Sequence, residues 1–178
     1  SWYSLDGPDR DVVIVSQITV NRNLAGFAFS HLLPNDEELR LRRTINDALY
    51  AMEEEFALVD GETISPELRA FYEDRGVLVP GDRPGTAALR DSGDAMIRIG
   101  TGDHLRISGF SGGFDLSSAR ARATALDTQL ESHLEYAVSL KMGYLAPDIQ
   151  RVGTGLHGTT LLHLPAIEHS EGFQLPED

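Results

Sequence analysis

Hydrophobic and polar positions along the chain alternate between two periods, and the switches mark its elements. After a turn cluster at Asp6-Gly7-Pro8-Asp9, the β-branched run in "DVVIVSQITV" predicts a buried strand from Val12 to Val20. In "NDEELRLRR" and beyond, Asn35 or Asp36 can cap a helix and acids fill its first turn. Leu41, Ile45, Ala48, Leu49, Met52 and Phe56 then recur at helical spacing as a core face. "SPELRAFYEDRG" offers Ser65 as a cap, Pro66 at the first helical position and Gly76 just past the end, which predicts a short helix. Pro-Gly and Ser-Gly-Asp turns separate Ala87–Leu89 from Met96–Ile99, a hairpin pattern, and the alternation in His104–Ser108 predicts another strand. A second long helix is expected from Ser117 to Leu140, with Leu116, Ala119, Ala123, Leu126, Leu130, Leu134 and Ala137 on one side and Gly143 and Pro147 ending it. A glycine-rich turn in "RVGTGLHGTTLLHLPAI" feeds a last strand, Thr159–Leu164. This order suits an α+β architecture, an antiparallel sheet with helices on one side.

Length and charge narrow the function classes. A chain of 178 residues fits one domain that buries ~70% of its unfolded surface. Its 28 acidic residues against 15 lysines and arginines give a formal charge of -13, and no basic patch offsets it, so nucleic acid is excluded as the expected partner. The absence of cysteine removes disulfides, thiolate metal sites and a cysteine nucleophile. The most apolar runs, Val12–Val15 and Leu161–Leu164, fall far short of the ~20 residues of a membrane span, so the expected setting is the cytoplasm, with no membrane partner.

Candidate chemistry concentrates in "IGTGDHLRISGF", where Asp103, His104 and Arg106 crowd one strand end. They form either an internal ion pair that stabilises the strand or a residual anion pocket shared with Arg22 and Arg151. "VGTGLHG" looks like a phosphate cradle but lacks the Gly-Lys-Ser/Thr of a Walker loop and opens no helix, so a glycine turn before a strand accounts for it. The six histidines contain no H-x-x-x-H pair, and no metal site is expected; His133 reads as a surface residue. Glu53-Glu54-Glu55 reads as a solvated face.

Taken in order, "DRDVVIVSQITVNRNLAGFAF", "GDHLRISGF" and "YAVSLKMGYLAPDIQRVGTGLHGTTLLHLPAI" resemble the catalytic part of the guanidino phosphotransferases, the ATP-dependent creatine and arginine kinases, and in style the bacterial protein-arginine kinases above all. The resemblance runs from Asp11 to Ile167 and is most specific in "DHLRI", "MGYL" and "VGTGL". It implies one guanidino-kinase-like domain over residues 1–178, with the family's antiparallel, glutamine synthetase-like sheet flanked by helices and shortened at its C-terminal end. The chemistry it implies is transfer of the γ-phosphoryl of Mg-ATP to a guanidinium, with arginines holding the triphosphate and a carboxylate engaging the acceptor.

The departures from the family pattern carry as much weight. Where the family has Ser-Arg-x-Arg, this chain has Ser16-Gln17-Ile18-Thr19, and Arg22 stands further along the same segment. Where it has Asn-Glu-Glu-Asp-His, this chain has Gly100-Thr101-Gly102-Asp103-His104, so Thr101 and Gly102 occupy the acid positions. Asp148 stands where a reactive cysteine is frequent, and His157 replaces a phosphate-binding arginine, leaving Arg106 as the matching ATP-binding arginine. Each lost charge-assisted bond removes ~1.5–3 kcal/mol, and a lost acid/base group ~10²- to 10⁴-fold in rate. The expectation is a pseudokinase with no catalytic residues and no cofactor, whose residual nucleotide or anion cleft contains Arg106, Arg22, His104 and His157. The alternative is an ATP-dependent phosphotransferase in which Asp103 or Asp148 serves as the acid and Mg-ATP as co-substrate. The partner expected by analogy is a protein, either an active arginine kinase or its protease machinery, and a homo-oligomer is a further possibility.

Overall fold

The structure is a computed structural model and describes residues 5–52, 54–79 and 85–165. Its elements in chain order are β1 (Val13–Arg22), α1 (Asn35–Ala51), β2 (Phe56–Asp60), α2 (Pro66–Asp74), β3 (Thr86–Arg90), β4 (Ala95–Thr101), β5 (Asp103–Gly112), α3 (Leu116–Glu131), the two-residue strands β6 (Val138–Ser139) and β7 (Gly143–Tyr144), and β8 (Leu156–Leu162). Six strands form one sheet in the order β2-β3-β4-β5-β1-β8, with every pairing antiparallel.

Strand alternation divides the sheet into two unlike faces. Ile18 and Val20 of β1 bury against Ala119 and Ala123 of α3. Ile97, Ile99, Leu105 and Ile107 meet Leu41, Ile45 and Leu49 of α1 and Leu126 and Leu130 of α3. The other face is apolar only where α2 and the turn after it cover it. There Val77, Leu78 and Tyr72 pack on Val59, Ala87, Met96, Phe110 and Val15. The remainder of this second face is polar and open.

Capping follows sequence logic. The Ser65 hydroxyl accepts from the Leu68 N–H at the start of α2, and the Asp115 carboxylate accepts from the Ser118 N–H, 2.9 Å away, at the start of α3. Ser16 fixes that second cap to β1: its hydroxyl donates to the Gly113 carbonyl at 2.8 Å and accepts from the Asp115 N–H.

Several boundaries differ from the sequence expectation. The second long helix stops at Glu131 rather than Leu140, because the pattern beyond it has period two: Leu134 and Tyr136 are buried while Glu135 is exposed. That segment pairs with the end of β1, through Ala25 N–H to the Glu135 carbonyl and Ala137 N–H to the Asn23 carbonyl. Phe56 does not continue the α1 stripe but opens β2, a strand the periodicity did not announce. The helices are not confined to one side, since α2 lies on the face opposite α1 and α3. The first and last strands begin and end a few residues from their expected limits. Glu53 of the acidic run lies outside the described residues.

Close approach of α3 to the sheet depends on Gly109. A Cβ there would sit 2.2 Å from the Ala119 carbonyl oxygen and 2.7 Å from the Ala123 nitrogen. Gly109→Ala is therefore expected to push α3 off β5 and cost at least ~1–3 kcal/mol, as overpacking does. Thermal unfolding reads this as a lowered Tm; an unchanged Tm would show that α3 is not seated there.

Candidate functional site

Register places the residues of the open face in rows. Asn21 of β1 lies directly opposite Arg106 of β5, and Arg106 opposite Arg98 of β4. In the next row His157 of β8, Thr19, Ser108 and Met96 stand side by side. Thr159, Gln17 and Phe110 form a third. Directly opposed residues share a sheet face, with Cβ atoms about 4.5–5.5 Å apart. Beside the third row, a cleft of about 370 Å³ opens between the end of α2 and β8, lined by Gln17, Arg75, Met96, Phe110 and Thr159 among others.

The middle of this face satisfies itself. The Gln17 side-chain amide donates to the Thr19 and Ser108 hydroxyls, and those hydroxyls are bonded to each other at 2.9 Å. The first row does not. Among the described residues, the Nε atoms of Arg98 and Arg106 and both side-chain polar atoms of Asn21 are buried without a hydrogen-bond partner. Burial and the neighbouring Arg106 charge push the Arg98 guanidinium below its ordinary value. Arg98 was absent from the sequence reading, although the chain carries a signal for it. "IRI" and "LRI" mirror each other about Gly102, the middle of Gly100-Thr101-Gly102-Asp103-His104, which is the pattern of a tight hairpin with two arginines cross-strand.

Arg22 and His104 lie elsewhere. Arg22 points to the helical face, where Nε and Nη2 donate to the two Asp127 oxygens at 3.0 and 2.6 Å. Its Nη1 donates to the Asn21 and Thr154 carbonyls, and its guanidinium carbon is 3.5 Å from the Tyr144 ring centre. Burial pushes the Asp127 carboxyl up against the pull of Arg22. His104 is fully buried: Nδ1 accepts from the Leu24 N–H, which leaves the proton on Nε2 to donate to the Ala28 carbonyl at 2.8 Å. Burial lowers its pKa from 6.5, against the opposing pull of the Ala28 carbonyl and Asp103.

The two acids considered as replacements are also engaged. Asp103 is 0% exposed, accepts from Asn23 Nδ2 at 2.9 Å, and meets Arg151 at 3.5 Å. Asp148 caps the short turn Ile149–Arg151 by accepting from the Gln150 N–H. Of the crowded trio, then, Asp103 and His104 serve the strand end, whereas Arg106 faces the open side. His157 is exposed on the same side as Arg106, one row away. The positions of Thr101 and Gly102 lie in the β4–β5 turn, where Gly100 and Gly102 take φ of +78° and +90°. No group of three or more histidines, aspartates or glutamates that could hold a metal occurs among the described residues, and no helix there is long and apolar enough to cross a membrane.

This antiparallel sheet, with two long helices on one face and polar rows on the other, is the architecture of a catalytic-domain family that the sequence match identifies. Residues 40–175 match the ATP:guanido phosphotransferase C-terminal catalytic domain, and the chain belongs to that family. It is 32% identical over 191 aligned residues to the protein-arginine kinase of Shouchella clausii, covering 97% of this chain and 51% of that one. The protein-arginine kinase of Geobacillus thermodenitrificans is 31% identical over 175 residues, covering 94% and 48%. The chain thus spans about half the length of the curated relatives it matches. Among solved structures, the duplicated taurocyamine kinase from Schistosoma mansoni with bound transition state analog components superposes with a TM-score of 0.79 at 18% identity, over 96% of this chain and 27% of that one. Lombricine kinase gives 0.74 at 17%, over 96% and 54%. These two likenesses establish the fold.

Two stability predictions follow from the buried groups. Asp127→Ala leaves the Arg22 guanidinium buried without its carboxylate and is expected to cost ~3–5 kcal/mol in urea unfolding, whereas the double change Arg22→Met with Asp127→Leu recovers much of it. A loss as large in the double variant would show that packing, not the pair, carries the effect. For His104, the folded pKa lies below the unfolded one, so the unfolded state binds more protons and stability falls as pH drops below about 6.5 toward the folded value. His104→Gln is expected to flatten the decline in Tm between pH 7 and 5. Equal declines in both proteins would refute it. The carboxyls with lowered pKa, Asp94, Asp115 and Glu67, titrate in lower windows, below 3.8 for the two aspartates and below 4.5 for the glutamate.

Proposed function

We infer that this chain is a guanidino-phosphotransferase domain that binds without transferring phosphoryl, and so serves as a binding or regulatory module. The observation that carries the reading is the β4–β5 turn. The resemblance places the family's acids at Thr101 and Gly102, and the Gly102 φ of +90° is a conformation L side chains rarely adopt. The departure therefore extends from the side chain to the backbone that would present it.

The phosphate side supports the same reading. Gln17 and Thr19 stand where the resemblance places arginines, and with Ser108 they close a neutral hydrogen-bonded network. Mg-ATP as a substrate brings a polyanion that needs several cations along its length. This face offers Arg98 and Arg106 in one row and an exposed His157 in the next. Transfer through a relocated acid would draw on Asp103, already engaged by Asn23 and Arg151, or on Asp148, already engaged by the Gln150 N–H. By family analogy the partner is a protein, an active arginine kinase or the protease machinery associated with one.

Incubation with Mg-ATP labelled at the γ-phosphoryl and an arginine-rich protein acceptor is expected to give no labelled acceptor above the rate without protein. Gly102→Glu is expected to leave that result unchanged, because the backbone does not present the new carboxylate. Label transfer by the unaltered chain, abolished by Asp103→Asn or Asp148→Asn, would overturn the reading in favour of an altered phosphotransferase.

A further inference from the structure

The sheet ends on one side in β2, and that edge is built unlike the other. β8 carries His157, Gly158, Thr159 and Thr160 along its middle, whereas β2 reads Phe-Ala-Leu-Val-Asp, with no proline, lysine or bulge to discourage further pairing. Its free backbone groups follow from register. The Gly61 N–H donates to the Gly85 carbonyl at 3.2 Å, one step beyond the Asp60–Thr86 pair. Bonded and non-bonded pairs alternate in an antiparallel ladder, so Ala57 and Val59 bond to β3 while Phe56, Leu58 and Asp60 turn their N–H and C=O groups away from it. The Thr63 and Ile64 N–H groups take the Asp60 carbonyl, and among the described residues no backbone bond reaches the outward groups of Phe56 or Leu58.

Each face of this edge opens into an apolar cleft. On the helical face, a cleft of about 540 Å³ is lined by Leu58, which is 40% exposed, by Phe56, and by Leu49, Tyr50 and Met52 at the end of α1. On the opposite face, a cleft of about 260 Å³ is lined by Ala57, by Phe71 and Tyr72 of α2, and by Leu89 of β3. A strand added to β2 sends successive side chains to opposite faces, one beside Leu58 and the next beside Ala57. One extended segment can therefore use the free backbone groups and both clefts together.

Charge selects the occupant. Glu55 and Asp91 follow the Phe56–Arg90 pair at one end of the edge, both exposed and without an ion pair among the described residues. Asp60 and the exposed Glu62 stand at the other end. Arg90 and Arg42 already meet Glu54 and Glu62, so the charge left over along this edge is negative. A second copy of the chain, pairing its β2 antiparallel about Leu58, would set Glu54 opposite the Glu62 of that copy, acid against acid. A segment with lysine at each end of an apolar stretch meets no such opposition.

We propose that the β2 edge takes an extended, lysine-flanked apolar segment of a partner protein as an added strand, its backbone bonded to Phe56 and Leu58 and its alternate side chains seated in the two clefts. The proposal rests on the reading of the chain as a binding module and names the partner's chemistry; it draws on none of the arginines of the open face.

The test is calorimetric titration of the full chain with a nine-residue peptide of alternating leucine and valine flanked by lysine pairs. A glutamate-flanked counterpart and a lysine-flanked peptide methylated at its middle backbone nitrogens are titrated alongside. The first is expected to bind at millimolar concentration or tighter, and each of the others at least tenfold more weakly, the equivalent of ~1.4 kcal/mol. Glu55→Lys combined with Asp91→Lys, both at exposed positions, should weaken the first peptide severalfold at low ionic strength. Leu58→Pro, which removes an outward N–H without touching a bond to β3, should abolish its binding. Asp11→Lys, an exposed charge reversal beside the β8 edge, should not change it. Absence of binding, or equal binding of the methylated or the glutamate-flanked peptide, overturns the proposal. A concentration-dependent dimer in sedimentation that Leu58→Pro dissolves also overturns it and assigns the edge to a second copy. Label transfer in the phosphoryl assay would remove the binding-module reading and leave this titration unaffected, whereas a failed titration without label transfer removes only the added strand.

Discussion

The buried contact between Arg22 and Asp127 is the constraint on which the rest of the arrangement depends. It joins the end of β1 to the middle of α3, and the spare Arg22 nitrogen reaches the Thr154 carbonyl just before β8. One guanidinium therefore ties β1, the strand beside the sheet edge, to a helix and to the loop that leads into the edge strand β8. A buried ion pair returns little net stability over an apolar replacement, but it tolerates only one geometry. Here that geometry fixes the side of the sheet on which each β1 residue falls.

Because β1 alternates from Val15 to Arg22, fixing Arg22 on the helical face places Asn21, Thr19 and Gln17 on the open one. The same register sets Arg106 and Ser108 beside them and carries Arg98 into the row through β4. The site is thus a consequence of register rather than of any loop. Residues adjacent in sequence, such as Asn21 and Arg22, serve opposite faces. Residues far apart, such as Asn21 and Arg98, serve one.

This explains which features were legible in the sequence. Elements with a strong period or a cap could be read directly: the α1 stripe from Leu41 to Leu49, the Ser65 cap with Pro66, and the strand through Val15. The α3 boundary was missed because Leu134 and Ala137 fit a helical stripe by spacing. The Glu135 carbonyl and the Ala137 N–H instead pair with residues 23–25, a long-range contact that no local period encodes. In the site, proximity in sequence grouped Asp103, His104 and Arg106, yet alternation sets Asp103 apart from the other two and burial sets His104 apart from Arg106. His104 resolves into a neutral ring between the Leu24 N–H and the Ala28 carbonyl, a partnership that depends on the fold of a distant segment.

The two faces also differ in how they treat charge. A paired guanidinium such as Arg22 is stabilised by the fold itself and contributes to holding it together. An unpaired pair such as Arg98 and Arg106 is held in place by the fold at a cost, because cross-strand like charges oppose the pairing of β4 with β5. The Ile97, Ile99, Leu105 and Ile107 side chains on the opposite face are fully buried and anchor those two strands. Apolar burial of this size, ~1.5–3 kcal/mol for each side chain, exceeds the repulsion between two half-buried cations and keeps them in register. The core on one face thereby maintains on the other a concentration of positive charge that has no acidic partner among the described residues.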